Sequence, residues 1–258
     1  MLSLSNIEKY YLEPEKSFKK SILREYLQYK ILEIIFNSKI GQQLAFLGGT
    51  ALRIVYNNSR FSEDLDFDNF GITKKQFISL VKEIKNGLEL QGYKVGIKNV
   101  FKGAYRAYIR IPEVLFDNQI SNLQEEKILI QVDTIPHVFD YKRDLKILNK
   151  FDVFTQIYVT PLDILLSQKI YAALNRKRAK GRDFFDIVFL LAKIKPNDEY
   201  LRKKLGIKNS QELKKTLISK TSNFDFNKLA KDVETFLVNN GDSKKVKMFI
   251  PYIKSLDF

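Results

Sequence analysis

The chain has no cysteine and no tryptophan, and only one histidine in 258 residues. Without cysteine there can be no disulfide framework, no thiolate zinc site and no thiol nucleophile. One histidine cannot build a His-rich metal cage. A Ser-His-Asp triad would have to recruit His137 from a turn-like stretch between Pro136 and Val138. No run of about 18 apolar residues is present to cross a bilayer. Residues 1–18 carry acids and no apolar core, unlike a secretory signal peptide. Lack of cysteine fits a reducing compartment, so a cytoplasmic location is expected, with no membrane association. Chemistry is left to carboxylates, Lys, Arg, Ser/Thr and bound metal.

What is abundant is positive charge, with 44 Lys+Arg against 30 Asp+Glu and a net charge of +14. Hydrophobic residues at 45% and charged residues at 29% are ordinary for a globular chain, so this is not a disordered polycation. The excess is uneven: residues 159–258 carry 21 basic and 11 acidic side chains, and residues 1–158 carry 23 and 19. Arg176-Lys177-Arg178, Lys180, Arg202-Lys203-Lys204 and the pair Lys244-Lys245 with Lys247 are its densest parts. Such clusters are either solvated helix faces or a footprint for polyanions.

Periodicity predicts a helix over 16–37, where Leu23, Leu27, Ile31 and Ile35 recur every four residues beside Ile22 and Ile34. The apolar run 44–47 reads as a strand meeting Gly48-Gly49, with a helix from Thr50 to about Tyr56. Asp64-Leu65-Asp66-Phe67-Asp68 alternates as a half-buried strand does. Thr73 to Leu90 is helical, with Phe77, Leu80, Val81, Ile84 and Leu88 on one face, and strand-like runs follow around 92–98, 104–111 and 127–134. From Thr160-Pro161-Leu162-Asp163, read as an N-cap Thr with Pro at the first helical position, only helices are expected. The expected fold is α+β, a mixed sheet with helices over 1–158 followed by a helical domain over 159–258.

Four features carry chemistry. The period of two places Asp64 and Asp66 on one face of a strand, about 7 Å apart, where two anions are useful if a divalent cation bridges them. Asp133 ends an alternating strand, facing away from Ile128, Ile130 and Val132. If the strands are neighbours it becomes a third acid, as metal-assisted phosphoryl transfer requires. Gly48, Gly49 and Thr50 open a helix after a strand, offering bare backbone N–H groups to an anion. Arg60 and Ser62 stand on the approach to the D-x-D strand, either contacting phosphate or lying on the surface. Lys169 falls in the middle of the stripe Leu162, Leu165, Leu166, Ile170 and Ala173, so it must snorkel, pair with an acid or hold a ligand anion. Asp183 and Asp186 lie one turn apart on a helix whose other face would carry Phe185, Val188, Phe189 and Ala192. They serve the helix dipole or a site.

In this order, Phe46-Leu-Gly-Gly-Thr-Ala-Leu52, Arg60-Phe-Ser-Glu-Asp-Leu-Asp-Phe67, Lys169 and Arg182-Asp-Phe-Phe-Asp-Ile187 resemble the four-motif signature of the AbiEii/AbiGii-type nucleotidyltransferase toxins. That family lies in the DNA polymerase β-like nucleotidyltransferase superfamily. The resemblance implies a nucleotidyltransferase domain and a helical C-terminal domain, with Mg²⁺ or Mn²⁺ and a nucleoside triphosphate bound between them. By position, Gly48, Gly49 and Thr50 would cradle triphosphate, with Arg60, Ser62 and Arg182 nearby. Asp64 and Asp66 would bind metal with Asp133 as third acid, Lys169 would contact the triphosphate, and Asp183 or Asp186 would complete the site. The implied role is a toxin of a toxin–antitoxin or phage-defence locus, with a cognate antitoxin, adding a nucleotide to an RNA 3′ end, in particular tRNA, and blocking translation. Modification of a protein side chain and a non-catalytic nucleotide- or nucleic-acid-binding module are the alternatives.

Overall fold

The computed structural model describes residues 2–136 and 139–256, so His137 lies outside the described residues. The chain forms two compact units, one of residues 1–57 and 61–160, the other of residues 58–60 and 161–258. After helix α4 the chain therefore lends Asn58–Arg60 to the second unit before returning to the first.

In the first unit the helices are α1 (Leu4–Glu8), α2 (Glu13–Lys16), α3 (Lys19–Asn37), α4 (Gly48–Tyr56), α5 (Lys74–Leu90) and α6 (Val114–Asp117). The strands are β1 (Leu44–Leu47), β2 (Leu65–Asn69), β3 (Gly96–Phe101), β4 (Tyr105–Pro112), β5 (Lys127–Pro136), β6 (Asp144–Lys150) and β7 (Val153–Val159). They form one sheet in the order β3-β4-β5-β2-β1-β7-β6, with β2–β5 and β1–β7 parallel and the other pairs antiparallel. The mixed sheet is as expected.

Alternation decides which sheet face is covered. Ala107, Ile109 and Ile111 on β4 and Ile128, Ile130 and Val132 on β5 are fully buried. Phe77 of α5 meets Phe101 and Tyr105 on that same face, and Phe46 packs on Phe67 with ring centroids 5.5 Å apart. Each such buried side chain contributes roughly 1.5–3 kcal/mol. Thr73 caps α5 in a capping box with Gln76, which fixes where the helix begins.

Several boundaries differ from the sequence reading. The helix expected over 16–37 is broken at Ser17 and Phe18, where α2 ends and α3 starts. The run 92–98 begins as a turn, with the Gly92 N–H donating to the Glu89 carbonyl, so β3 starts only at Gly96. Strand β2 starts at Leu65, leaving Asp64 on its approach. Strands β6 and β7 escaped the pattern because both of their faces carry apolar residues: Leu148, Val153 and Ile157 are buried, while Leu145, Ile147 and Phe154 are exposed.

The second unit is helical apart from an isolated bridge between Arg60 and Leu237. Its helices are α7 (Leu162–Asn175), α8 (Gly181–Leu191), α9 (Asp198–Leu205), α10 (Ser210–Thr221), α11 (Phe226–Glu234), α12 (Lys244–Lys247) and α13 (Phe249–Ser255). Phe184 anchors the core, its ring 4.9 Å from that of Phe249 and 5.3 Å from that of Phe226. Helix α7 is capped by Pro161, not Thr160. The Thr160 hydroxyl is engaged with Tyr141 instead. On α8 the buried set is Asp183, Phe184, Phe185, Asp186, Ile187 and Leu190, with Val188 and Phe189 half-buried and Ala192 exposed. The expected division into an acidic and an apolar face does not hold, because both acids turn inward with the phenylalanines.

Candidate active site

In the first unit, Gly48 carries the chain from β1 into α4 with φ +82°, a conformation that a side chain disfavours. A Cβ on Gly48 would lie 2.5 Å from Asp66 Oδ2. The bare backbone thus lets the carboxylate seat directly against the turn, with Leu47 and Asp66 paired across β1 and β2. The first backbone N–H groups of α4 have no partner within the helix, which is the geometry that receives anions. Gly49 is buried in that first turn. Thr50 is 1% exposed, and its hydroxyl donates to the Asp64 carbonyl, fixing the backbone that presents Asp64.

The strands bearing Asp66 and Asp133 are neighbours, with the two residues directly opposite in the β2–β5 register. Asp133 is 7% exposed and firmly held. Arg106 of β4 binds it through two parallel bonds, Nε to Oδ1 at 2.8 Å and Nη2 to Oδ2 at 2.8 Å, and Gln131 Nε2 donates to Oδ2 at 2.9 Å. Such forked, charge-assisted pairs are among the strongest side-chain contacts. Further along β2, Tyr141 donates to Asp68 Oδ2 at 2.6 Å. Burial and the Asp68 charge push the Tyr141 hydroxyl well above its ordinary pKa, so it remains a donor.

In the second unit, Asp186 is fully buried and accepts from Arg60 Nε (2.7 Å), Arg60 Nη2 (2.6 Å) and Asn58 Nδ2 (2.9 Å). Lys169 Nζ lies 2.7 Å from Asp186 Oδ2 and 3.4 Å from Asp183 Oδ1. Arg176 Nε reaches Asp183 Oδ2 at 3.3 Å. Burial would raise the Asp186 pKa, but the Arg60 and Lys169 charges outweigh it and hold it at about 2. Helix α8 is seated by Gly181, whose N–H donates to Asp232 Oδ2 at 2.9 Å and whose missing Cβ makes room for the Leu229 carbonyl. Lys169 therefore stands in the apolar stripe with carboxylate partners, one of the three outcomes its position allowed.

Of the remaining candidates, Arg60 is 1% exposed, with its guanidinium turned to Asp186. Ser62 is half-buried, its carbonyl accepting from Gln28 Nε2 at 3.2 Å. The Arg182 guanidinium lies 4.7 Å from the centre of the Phe236 ring. Sequence reasoning missed Asn58, Arg106 and Gln131. The alternation of β4 put Arg106 on the polar face, but only the β4–β5 register shows that Asp133 is its neighbour.

Residues 30–246 match the family described as nucleotidyl transferase AbiEii toxin of type IV toxin–antitoxin systems. The chain belongs to this AbiEii family. It is accordingly a nucleotidyltransferase of a toxin–antitoxin system, a setting that implies a nucleotide substrate and an antitoxin partner. Two crystal structures from Helicobacter pylori share the fold at a TM-score of 0.55. One is JHP933, 17% identical, with 90% of this chain and 91% of that one covered. The other, assigned as a nucleotidyltransferase, is 18% identical, with 92% and 98% covered. No curated protein sequence is significantly similar to this AbiEii member.

A divalent cation needs several oxygen ligands converging on one point. Among the described residues no group of three acids or histidines is arranged to hold a metal ion, and Asp133 is committed to Arg106. Asp64 and Asp66 do suit a Mg²⁺ that takes one or two carboxylates and fills its other positions with phosphate oxygens and water. Among the described residues no helix is long and apolar enough to cross a membrane.

Proposed function

We propose that this AbiEii member transfers a nucleoside monophosphate from a nucleoside triphosphate to the 3′ hydroxyl of an RNA, in particular a tRNA end, in the cytoplasm. Blocked translation would make it a toxin for toxin–antitoxin control or phage defence. The observation that carries this reading is Asp66 seated on the Gly48 turn, a carboxylate beside the anion-receiving start of α4. A cation ligand and a phosphate cradle side by side are what phosphoryl transfer needs.

Asp64 and Asp66 would hold Mg²⁺ or Mn²⁺, which when bound supplies neutralisation of phosphate charge and acidification of the attacking hydroxyl. Amides of Gly48, Gly49 and Thr50 receive triphosphate oxygens, with Ser62 as a further contact, and the family resemblance assigns Arg182 to the nucleotide as well. In the reaction the acceptor oxygen bonds to the α-phosphorus, the bond to the bridging oxygen breaks, and pyrophosphate leaves. The family resemblance assigns Lys169 to the negative charge that develops on the phosphate oxygens. Asp186, braced by Asn58 and Arg60, orients Lys169, and Asp183 assists. Asp133 takes the hydroxyl proton once Arg106 turns away from it. The basic excess of residues 159–258 supports a polyanionic acceptor.

The test is incubation of purified protein with each of the four labelled triphosphates, with and without total RNA. Label in RNA, lost together with growth inhibition in Asp66→Ala and Lys169→Ala, is the expected result. Label that follows protein instead, or full incorporation by either variant, overturns the reading.

A further inference from the structure

The register of β3, β4 and β5 lays side chains of the sheet's polar face in cross-strand rows. The first row is Asp66, Asp133, Arg106 and Val100. The next is Gln131, Tyr108 and Lys98, the third Leu129, Arg110 and Gly96, and the last Lys127 and Pro112. Rows two residues apart along a strand are about 7 Å apart, so Arg110 stands roughly 13 Å from the carboxylates. Beyond the first row the strip holds no acid. Lys98 and Lys127 are exposed, Tyr108 and Arg110 half-buried, and Leu129 is 40% exposed.

These cations are among those of their unit that no carboxylate matches within the described residues. Lys16, Lys20, Arg24, Lys30, Arg53, Lys94, Arg106 and Lys150 are each matched by a carboxylate. Among the described residues Lys98, Arg110 and Lys127 have no such match. Gly96, opposite Arg110, puts no side chain beside its guanidinium. Three uncompensated cations around a tyrosine and a partly exposed leucine, leading away from a row of carboxylates, form a strip complementary to a chain of phosphates and bases.

We propose that this strip is the track for the single-stranded end of the acceptor. Arg110, Lys98 and Lys127 bind its phosphates and Tyr108 stacks on a base, so that the terminal hydroxyl reaches the first row. The track rests on the reading that the acceptor is a nucleic acid. From the carboxylate row to Lys127 and Pro112 the strip runs about 20 Å, enough for a few nucleotides. Contacts to phosphates and base faces make recognition tolerant of sequence, and the strip's single-strand preference is a property of the stacking platform.

The test uses the full-length protein without triphosphate and a labelled 12-nucleotide single-stranded RNA, titrated at several salt concentrations. Lys98→Gln/Arg110→Gln/Lys127→Gln is expected to bind at least tenfold more weakly, with the salt slope reduced by about 2. Tyr108→Ala is expected to bind about fivefold more weakly at unchanged slope. Lys75→Gln/Lys82→Gln/Lys85→Gln on α5 should bind as wild type does. Binding by the strip triple within twofold of wild type, an equal loss in the α5 triple, or wild-type protein that binds no RNA overturns the track. Should the strip triple fail to fold, the exposed single changes Lys98→Gln and Lys127→Gln decide, each lowering the slope by about 0.7. Transfer assays separate this from the broader reading. Wild-type labelling of RNA with an unchanged RNA KM in the triple refutes the track alone, whereas absence of any RNA label refutes the RNA acceptor.

Discussion

Lys169 and Asp186 form a 2.7 Å ion pair inside the second unit, on a carboxylate that also accepts two bonds from Arg60 and one from Asn58. The pair explains how a lysine is accommodated among Leu165, Leu166 and Ile170, all nearly fully buried. Two cations and one amide saturate a carboxylate that has no access to water. Removing that carboxylate leaves Arg60, 1% exposed, without its forked partner.

Asp186→Asn is therefore expected to destabilise the protein by about 3–5 kcal/mol, as for other buried pairs stripped of one member. Urea unfolding of both proteins measures it. The pH dependence follows from a carboxyl held at about 2 in the fold and near 3.9 when unfolded. Its contribution is fully present above about pH 4 and is lost as pH falls through about 2. The gap between wild type and variant should be flat from pH 8 to 5 and narrow progressively below pH 4, by about 2–3 kcal/mol once the pH is below 2.

Gly48→Ala should strike activity harder than stability. The positive φ costs about 1–2 kcal/mol, and the new methyl group must displace the Asp66 carboxylate. Label incorporation is expected to fall at least a hundredfold, while the unfolding midpoint moves only modestly. Incorporation within tenfold of wild type would remove the Gly48–Asp66 contact from the mechanism.

Arg106 and Asp133 should behave as one element. The pair is partly open, Arg106 being 38% and Asp133 10% exposed at the side chain, so its coupling is about 1–2 kcal/mol. A cycle of Arg106→Gln, Asp133→Asn and the double variant, read by urea unfolding, should return that value with the double variant no worse than the worse single one. Additive effects would show that the two groups are independent.

The motifs were legible because they are local. A strand, a Gly-Gly turn, a D-x-D alternation and an inward lysine each declare themselves within ten residues, and their order points to the AbiEii family. What was not legible depends on register and tertiary pairing. Arg106 and Asp133 are 27 residues apart, Asn58 and Asp186 are 128 apart, and no spacing rule joins them. Thr160 shows the converse failure: it fits the rules for a helix cap, but its hydroxyl is drawn to Tyr141, and Pro161 takes the cap. The apolar outer faces of β6 and β7 hid two strands by erasing the contrast that alternation relies on.

The loan of Asn58–Arg60 to the second unit bears on how such a protein can be cut, shuffled or inherited. A fragment beginning at Pro161 would contain Lys169, Asp183 and Asp186 but neither Arg60 nor Asn58, leaving Asp186 without its buried guanidinium partner. The helical half is thus not a module that can be moved by joining sequence ends at residue 160. Recombination or truncation there removes the brace from a residue more than a hundred positions away, which ties the two halves together as a single heritable piece.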